Sequence, residues 1–161
     1  MIFRQAQPHE RQELFAEGYK VWSKNRTFEQ YCADNGSEDA FGTRYVVEVD
    51  NQIVSSLILL IMGSIEDKKV YGIGSVLTPQ PYSGKGYATE LIRCCLKLLE
   101  DQGAYIFLYS DIQPAFYEKF GFRILPSILQ TKEKSVCMVK CGDDDWTELV
   151  RRWANHVPKY F

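Results

Sequence analysis

Gly74-Ser-Val-Leu-Thr-Pro-Gln-Pro-Tyr-Ser-Gly-Lys-Gly-Tyr-Ala-Thr-Glu-Leu-Ile-Arg93 is the stretch on which the reading of this chain turns. It predicts a β-strand ended by prolines, a loop with glycines at 84 and 86, and an amphipathic helix running to Gln102. A glycine turn that feeds a helix start leaves several backbone N–H groups unpaired and aimed at one spot, and the helix dipole adds partial positive charge there. Such a place binds phosphate with little help from side chains. An ordinary strand-to-helix turn is the plainer alternative for a lone Gly-Lys-Gly.

Working outward, Ala88, Leu91, Ile92, Cys95, Leu96 and Leu99 follow the spacing of a helix laid on a sheet. Gly103 stands where a C-terminal cap belongs. Ala104 to Tyr109 reads as a buried strand parallel to strand 70–78, giving a right-handed βαβ unit with the glycine loop at the carboxyl ends of its strands. Toward the N-terminus, Met1 to Ala6 predicts a strand, residues 9–23 a helix, and Thr27 caps a second helix through Tyr31 and Cys32. Gly36, Ser37 and Gly42 mark a polar loop. Arg44 to Val49 and Ile53 to Met62 are strand-like runs joined at Asp50-Asn51-Gln52, a hairpin signal. Toward the C-terminus come a short helix from Ala115 to Phe120, strands over 122–131 and 135–141, and a last helix capped by Asp143. The order β-α-α-β-β-β-α-β-α-β-β-α is that of an α/β fold, a mixed sheet with helices on both faces.

At 161 residues the chain is expected to form one domain over residues 1–161. A net charge of −2 lacks the basic footprint of a nucleic-acid binder, so no nucleic-acid partner is expected. The longest purely apolar run, Leu57 to Met62, is too short to span a bilayer, and no membrane association is expected. The five cysteines have no zinc-like spacing, so no metal is expected. Free thiols without a signal peptide point to the cytoplasm. Cys137 and Cys141 would share a strand face, as packing residues or as a labile redox pair.

Familiar phosphate loops fail. A Walker loop needs a glycine at Pro79 and a hydroxyl residue at Gly86, and a dinucleotide fingerprint needs a third glycine at Thr89. Ser83-x-x-Gly86-x-Ala88 followed by Phe116-Tyr117-Glu118-Lys119-Phe120-Gly121-Phe122 instead resembles the GCN5-related N-acetyltransferase (GNAT) superfamily. The first piece is similar to that family's Arg/Gln-x-x-Gly-x-Gly/Ala loop, the second to its Tyr-x-x-x-Gly-Phe signature. The likeness covers residues 44–123 well and 1–43 in outline. Position 83 departs from it, with Ser in place of Arg or Gln.

The resemblance implies a single mixed, mostly antiparallel sheet and a transfer of the acetyl group of acetyl-CoA to a primary amine. Backbone groups of Val76, Leu77 and Thr78 would pair with pantetheine, and amides of Ser83, Gly84, Lys85, Gly86, Tyr87 and Ala88 would hold the pyrophosphate. The acyl end would lie between strands 70–78 and 104–109, with the Leu77 N–H facing the developing oxyanion. Tyr117 matches the position that returns a proton to the departing thiolate; phenol, with a pKa of about 10, carries that proton at neutral pH. Packing beside Phe116 and Phe120 is its alternative role. An amine with pKa about 10.4 is neutral in roughly one molecule in a few thousand at pH 7, so a base matters. Strand 70–78 has no acidic residue. Asp111 could hold an activating water or cap the following helix; Glu48 is a poorer candidate.

The acceptor is expected against the N-terminal helices, beside Trp22, Tyr31, Phe41 and Tyr45. Leu108-Tyr-Ser-Asp-Ile112 is similar to the corresponding segment of acetyltransferases acting on free lysine, which makes a small-molecule amine such as lysine the expected acceptor. A non-catalytic acyl-CoA-binding module is the other reading, motivated by Ser83. The aromatic C-terminal residues would cover the last strand or form the contact of a homodimer.

Overall fold

The computed structural model describes residues 1–111 and 113–161. Its elements follow the expected order. They are β1 (Ile2–Gln5), α1 (Arg11–Trp22), α2 (Phe28–Ser37), β2 (Gly42–Val49), β3 (Gln52–Ile65) and β4 (Lys68–Leu77), then α3 (Tyr87–Lys97), β5 (Tyr105–Ser110), α4 (Pro114–Glu118), β6 (Arg123–Ile124), β7 (Val136–Lys140) and α5 (Asp143–Arg151). The strand order is β1-β2-β3-β4-β5-β7-β6. β4 and β5 pair in parallel, whereas β1–β2, β2–β3, β5–β7 and β6–β7 are antiparallel. This is the mixed, mostly antiparallel sheet expected. Ile112, the last residue of the lysine-like phrase, lies outside the described residues.

The chain divides into two compact units, residues 1–60 with 75–98 and residues 61–74 with 99–161. In the first, Asp50 and Asn51 both take positive φ (50° and 60°), the conformation a two-residue hairpin turn demands, and β2 and β3 pair on either side of it. Val46, Val47, Leu57, Ile58 and Leu60 of that hairpin are buried, as are Leu91, Ile92 and Cys95 on the apolar stripe of α3. In the second unit Ile65, Val70, Tyr105, Phe107, Leu125, Cys137, Val139 and Leu149 form the core. Tyr109 gathers the C-terminal aromatics. Its ring meets those of Tyr160 and Phe161 at 5.1 and 5.5 Å, and its hydroxyl donates to the Pro158 carbonyl.

Several boundaries differ from expectation. α2 continues through Gly36 to Ser37, because the Thr27–Gln30 capping box starts it firmly and no proline interrupts it. α3 ends at Lys97 rather than Gln102: the Leu98 N–H tightens onto Cys95 O, and turns carry the chain to Gly103. The strand expected over 122–131 shrinks to Arg123–Ile124, since Pro126 has no N–H for a ladder. The Gln130 side chain then pairs with the backbone of Leu125 and Cys137. Gly142, not Asp143, is the N-cap of α5; the Asp143 carboxylate accepts from Arg123 at 3.1 Å.

All five cysteines are free. Burial pushes the Cys137 thiol up to about 11, as expected of a packing residue rather than a redox partner. Among the described residues no helix is long and apolar enough to cross a membrane, and no three His, Cys, Asp or Glu side chains cluster to hold a metal.

Candidate active site

The parallel ladder between β4 and β5 runs from Val70↔Tyr105 to Ile73↔Leu108 and stops, while β4 itself continues to Leu77. Two residues past the last rung, Ser75 has φ +49°, a conformation that costs a non-glycine residue roughly 1–3 kcal/mol. The end of β4 is held from inside the first unit. The Thr78 hydroxyl lies 2.8 Å from Ser55 Oγ, and Ser55 Oγ donates to the Leu77 carbonyl at 3.0 Å. Ser55 is fully buried and anchors the half-buried Leu77 and Thr78 from inside the unit.

The loop then turns through a short 3₁₀ segment, Gln80–Tyr82. Tyr82 Oη donates to Gln52 Oε1, and Lys85 Nζ lies 5.8 Å from the centre of the Tyr82 ring. The Ser83 N–H is engaged by Gln80 O at 3.1 Å, so of the six amides expected to meet the pyrophosphate this one already has an acceptor. Gly84 and Gly86 have φ +75° and +85°, and a Cβ built on either meets nothing within 4 Å. Their backbone is therefore open to close approach by a ligand. Gly86 is the N-cap of α3, so the amides of Gly86, Tyr87 and Ala88 stand where no intrahelical carbonyl can reach them, at the positive end of the helix. An anionic diphosphate fits this arrangement.

A pocket opens within the same unit. Gly18 and Trp22 of α1, Tyr31 of α2, Arg44 of β2, and Ser75 and Leu77 of β4 contribute to its lining. Of the four aromatics expected near an acceptor, Trp22 and Tyr31 are there. Phe41 is 44% exposed and Tyr45 stacks on Phe3 at 5.1 Å; neither lines the pocket. Gly18 is required by close approach, since a Cβ there would sit 2.3 Å from Tyr31 Oη.

In the second unit, Tyr117 lies on α4, its ring edge-on to Phe116 at 5.0 Å and to Phe122 at 6.2 Å. Burial, with a smaller push from Asp111, raises its phenol to about 12, so the proton stays on the oxygen throughout the neutral range. Asp111 is exposed and accepts a hydrogen bond from Ser135 Oγ. The capping alternative is corrected: the N-cap of α4 is Gln113, with no side-chain cap. Glu48 is engaged by Arg4.

Sequence reasoning missed Ser55, Ser75, Gly18 and Arg44. The Ser55-Ser56 pair inside an apolar strand was the one available signal.

The acetyltransferase (GNAT) family matches residues 8–122. Among solved structures, a conserved protein of unknown function from Enterococcus faecalis V583, described as a probable N-acyltransferase, is 18% identical with a TM-score of 0.65 over 76% of this chain. The chain spans only 32% of that protein. An aminoglycoside 6′-N-acetyltransferase complexed with coenzyme A is 13% identical (TM-score 0.67, 88% of this chain, 97% of that one). Naa50 from Arabidopsis thaliana, in complex with the bisubstrate analogue CoA-Ac-MVNAL, is 18% identical (TM-score 0.66, 88% and 98%). At these identities the likeness is one of fold. No curated protein matches the chain. With the family match spanning most of the sequence, from just before the first helix to the end of the Tyr117 signature, the chain belongs to the acetyltransferase (GNAT) family.

Proposed function

We propose that the chain acts as one domain over residues 1–161, in the cytoplasm, transferring the acetyl group of acetyl-CoA to the primary amine of a small molecule. The observation that carries this reading is the open, left-handed backbone at Gly84 and Gly86 set on the first turn of α3. The amides from Gly84 to Ala88 hold the diphosphate there, and Ser83 contributes its side chain rather than its N–H. Backbone groups of Val76, Leu77 and Thr78 pair with the pantetheine arm, their own positions kept by the Ser55 relay.

Acetyl-CoA supplies the acyl group as an activated thioester. The chain's residues do the rest: the Leu77 N–H is assigned to the acyl oxygen, and the Tyr117 phenol is assigned the proton that the departing sulfur takes up. Because that phenol is a weaker acid than free tyrosine, it acts as a hydrogen-bond donor that gives up its proton only as the sulfur takes charge. Asp111, exposed and paired with Ser135, holds the water through which the amine loses its proton. The pocket beside Trp22 and Tyr31 receives the amine. A small molecule such as free lysine is the acceptor assigned to it.

Thiol release from acetyl-CoA with a panel of amines tests the reading. Tyr117→Phe should lower kcat by roughly 10²–10⁴-fold while leaving acetyl-CoA affinity unchanged. Binding of acetyl-CoA with no release across the panel would contradict it and favour a non-catalytic acyl-CoA-binding module.

A further inference from the structure

Of the described residues that line the pocket, Arg44 alone is charged. Its side chain is 11% exposed. Arg44 Nε donates to Asp39 Oδ1 and Nη2 to Asn35 O, both at 2.8 Å, whereas Nη1 makes neither bond. Two carboxylates and a second guanidinium surround this charge. Asp39 also binds Arg11, at 2.7 Å, so one carboxylate stands between two guanidiniums. Glu38 Oε2 lies 3.8 Å from Arg44 Nη2, buried and without a hydrogen bond. Desolvation raises its pKa, with Arg44 pulling the other way.

The aromatic surfaces are occupied by cations as well. Arg11 and Arg44 lie 5.2 and 4.8 Å from the Phe15 ring centre, and Arg26 lies 4.9 Å from that of Tyr31. An ammonium group has little to gain from rings already facing guanidiniums. A planar carboxylate, in contrast, matches a guanidinium N–H edge and is bound by charge-assisted hydrogen bonds.

We propose that Arg44 selects acceptors carrying a carboxylate, so that the substrate class is an amino acid or similar amino carboxylate rather than a polyamine or an aminoglycoside. This rests on the reading that the pocket receives the acceptor. Ser75 and Leu77 in the same lining belong to the β4 segment assigned to the acyl end, so the amine is directed there while Arg44 holds the carboxylate.

Matched amines with and without the carboxylate test it: L-lysine against cadaverine, and L-phenylalanine against phenethylamine. Thiol release is measured with each, together with calorimetric binding to the coenzyme A complex. The carboxylate member should be preferred by roughly ten- to a hundredfold. Arg44→Gln should bring that ratio toward one, mainly by raising KM for the carboxylate member. If Arg44→Gln does not fold, the wild-type ratio and that of Arg44→Lys, which keeps the charge, decide the matter.

Turnover of both members without preference, or a preference that survives Arg44→Gln, overturns the selection and leaves the transferase reading standing. Carboxylate-selective binding without thiol release supports the selection and contradicts the transferase reading. Neither binding nor release of any amine overturns both.

Discussion

Ser55 Oγ donates to the Leu77 carbonyl at 3.0 Å and lies 2.8 Å from the Thr78 hydroxyl, and the serine is fully buried. Two consecutive residues at the end of β4 thus depend on one hydroxyl from β3. Ser55→Ala leaves both half-buried partners without it. The expected loss of stability is about 1–3 kcal/mol, read from urea unfolding midpoints. KM for acetyl-CoA should rise with it, because the strand end assigned to pantetheine loses its anchor. A variant with unchanged stability and KM would remove the relay from the account.

Gly18 and Tyr31 make a second test. Alanine normally stabilises a helix interior over glycine by about 1 kcal/mol. Here the added methyl would stand 2.3 Å from Tyr31 Oη but 3.4 Å from Cζ. Gly18→Ala alone should therefore destabilise the protein and weaken acceptor binding. Adding Tyr31→Phe, which removes the oxygen, should restore stability. A double-mutant cycle on unfolding free energies measures the coupling; additive effects would contradict the close approach.

Burial sets the alkaline behaviour of the second unit. Tyr105, Tyr109 and Tyr117 are each pushed up to about 12, against an ordinary value of about 10. Between those values the folded chain keeps protons that the unfolded chain has lost, so stability falls as pH rises through that window. Ultraviolet titration should show at least three of the ten tyrosines ionising only near pH 12 or on unfolding. Ionisation of all ten around pH 10 with the fold intact would contradict the burial.

The order of elements was legible because each strand and helix carries its own periodicity and each turn its own chemistry. Asp50-Asn51 makes the hairpin because both residues tolerate positive φ. Leu91, Ile92 and Cys95 are buried because the stripe of α3 repeats at helical spacing. Element ends were less legible, since they depend on hydrogen bonds to distant residues: Gln130 reaches Cys137 across the turn that shortens β6, and no local pattern announces it. The same holds for the site. Glycines 84 and 86 declare themselves, whereas Arg44 read as one more polar residue at the start of a strand. Its place in the pocket wall follows only from the packing of Phe15, Asn35 and Asp39 around it.

Arg4 links the N-terminal strand to Glu10 and Glu48, and its hydrogen bonds hold the Glu10 carboxyl down to about 2. A depressed carboxyl stabilises the fold above its unfolded pKa and loses that contribution as pH falls through the folded value. Arg4→Met should abolish this part of the acid dependence between about pH 4.5 and 2, as followed by circular dichroism. An unchanged acid limb would show that the network contributes nothing.

Calorimetric titration of acetyl-CoA into the wild type and Gly86→Asp, with Gly86→Ala as the control for backbone strain at φ +85°, bears most directly on the glycine loop. Binding is expected in the wild type, weakened binding in the alanine variant, and none in the folded aspartate variant, whose carboxylate stands beside the diphosphate. Equal affinity in all three would place the coenzyme elsewhere and contradict the assignment of residues 84–88.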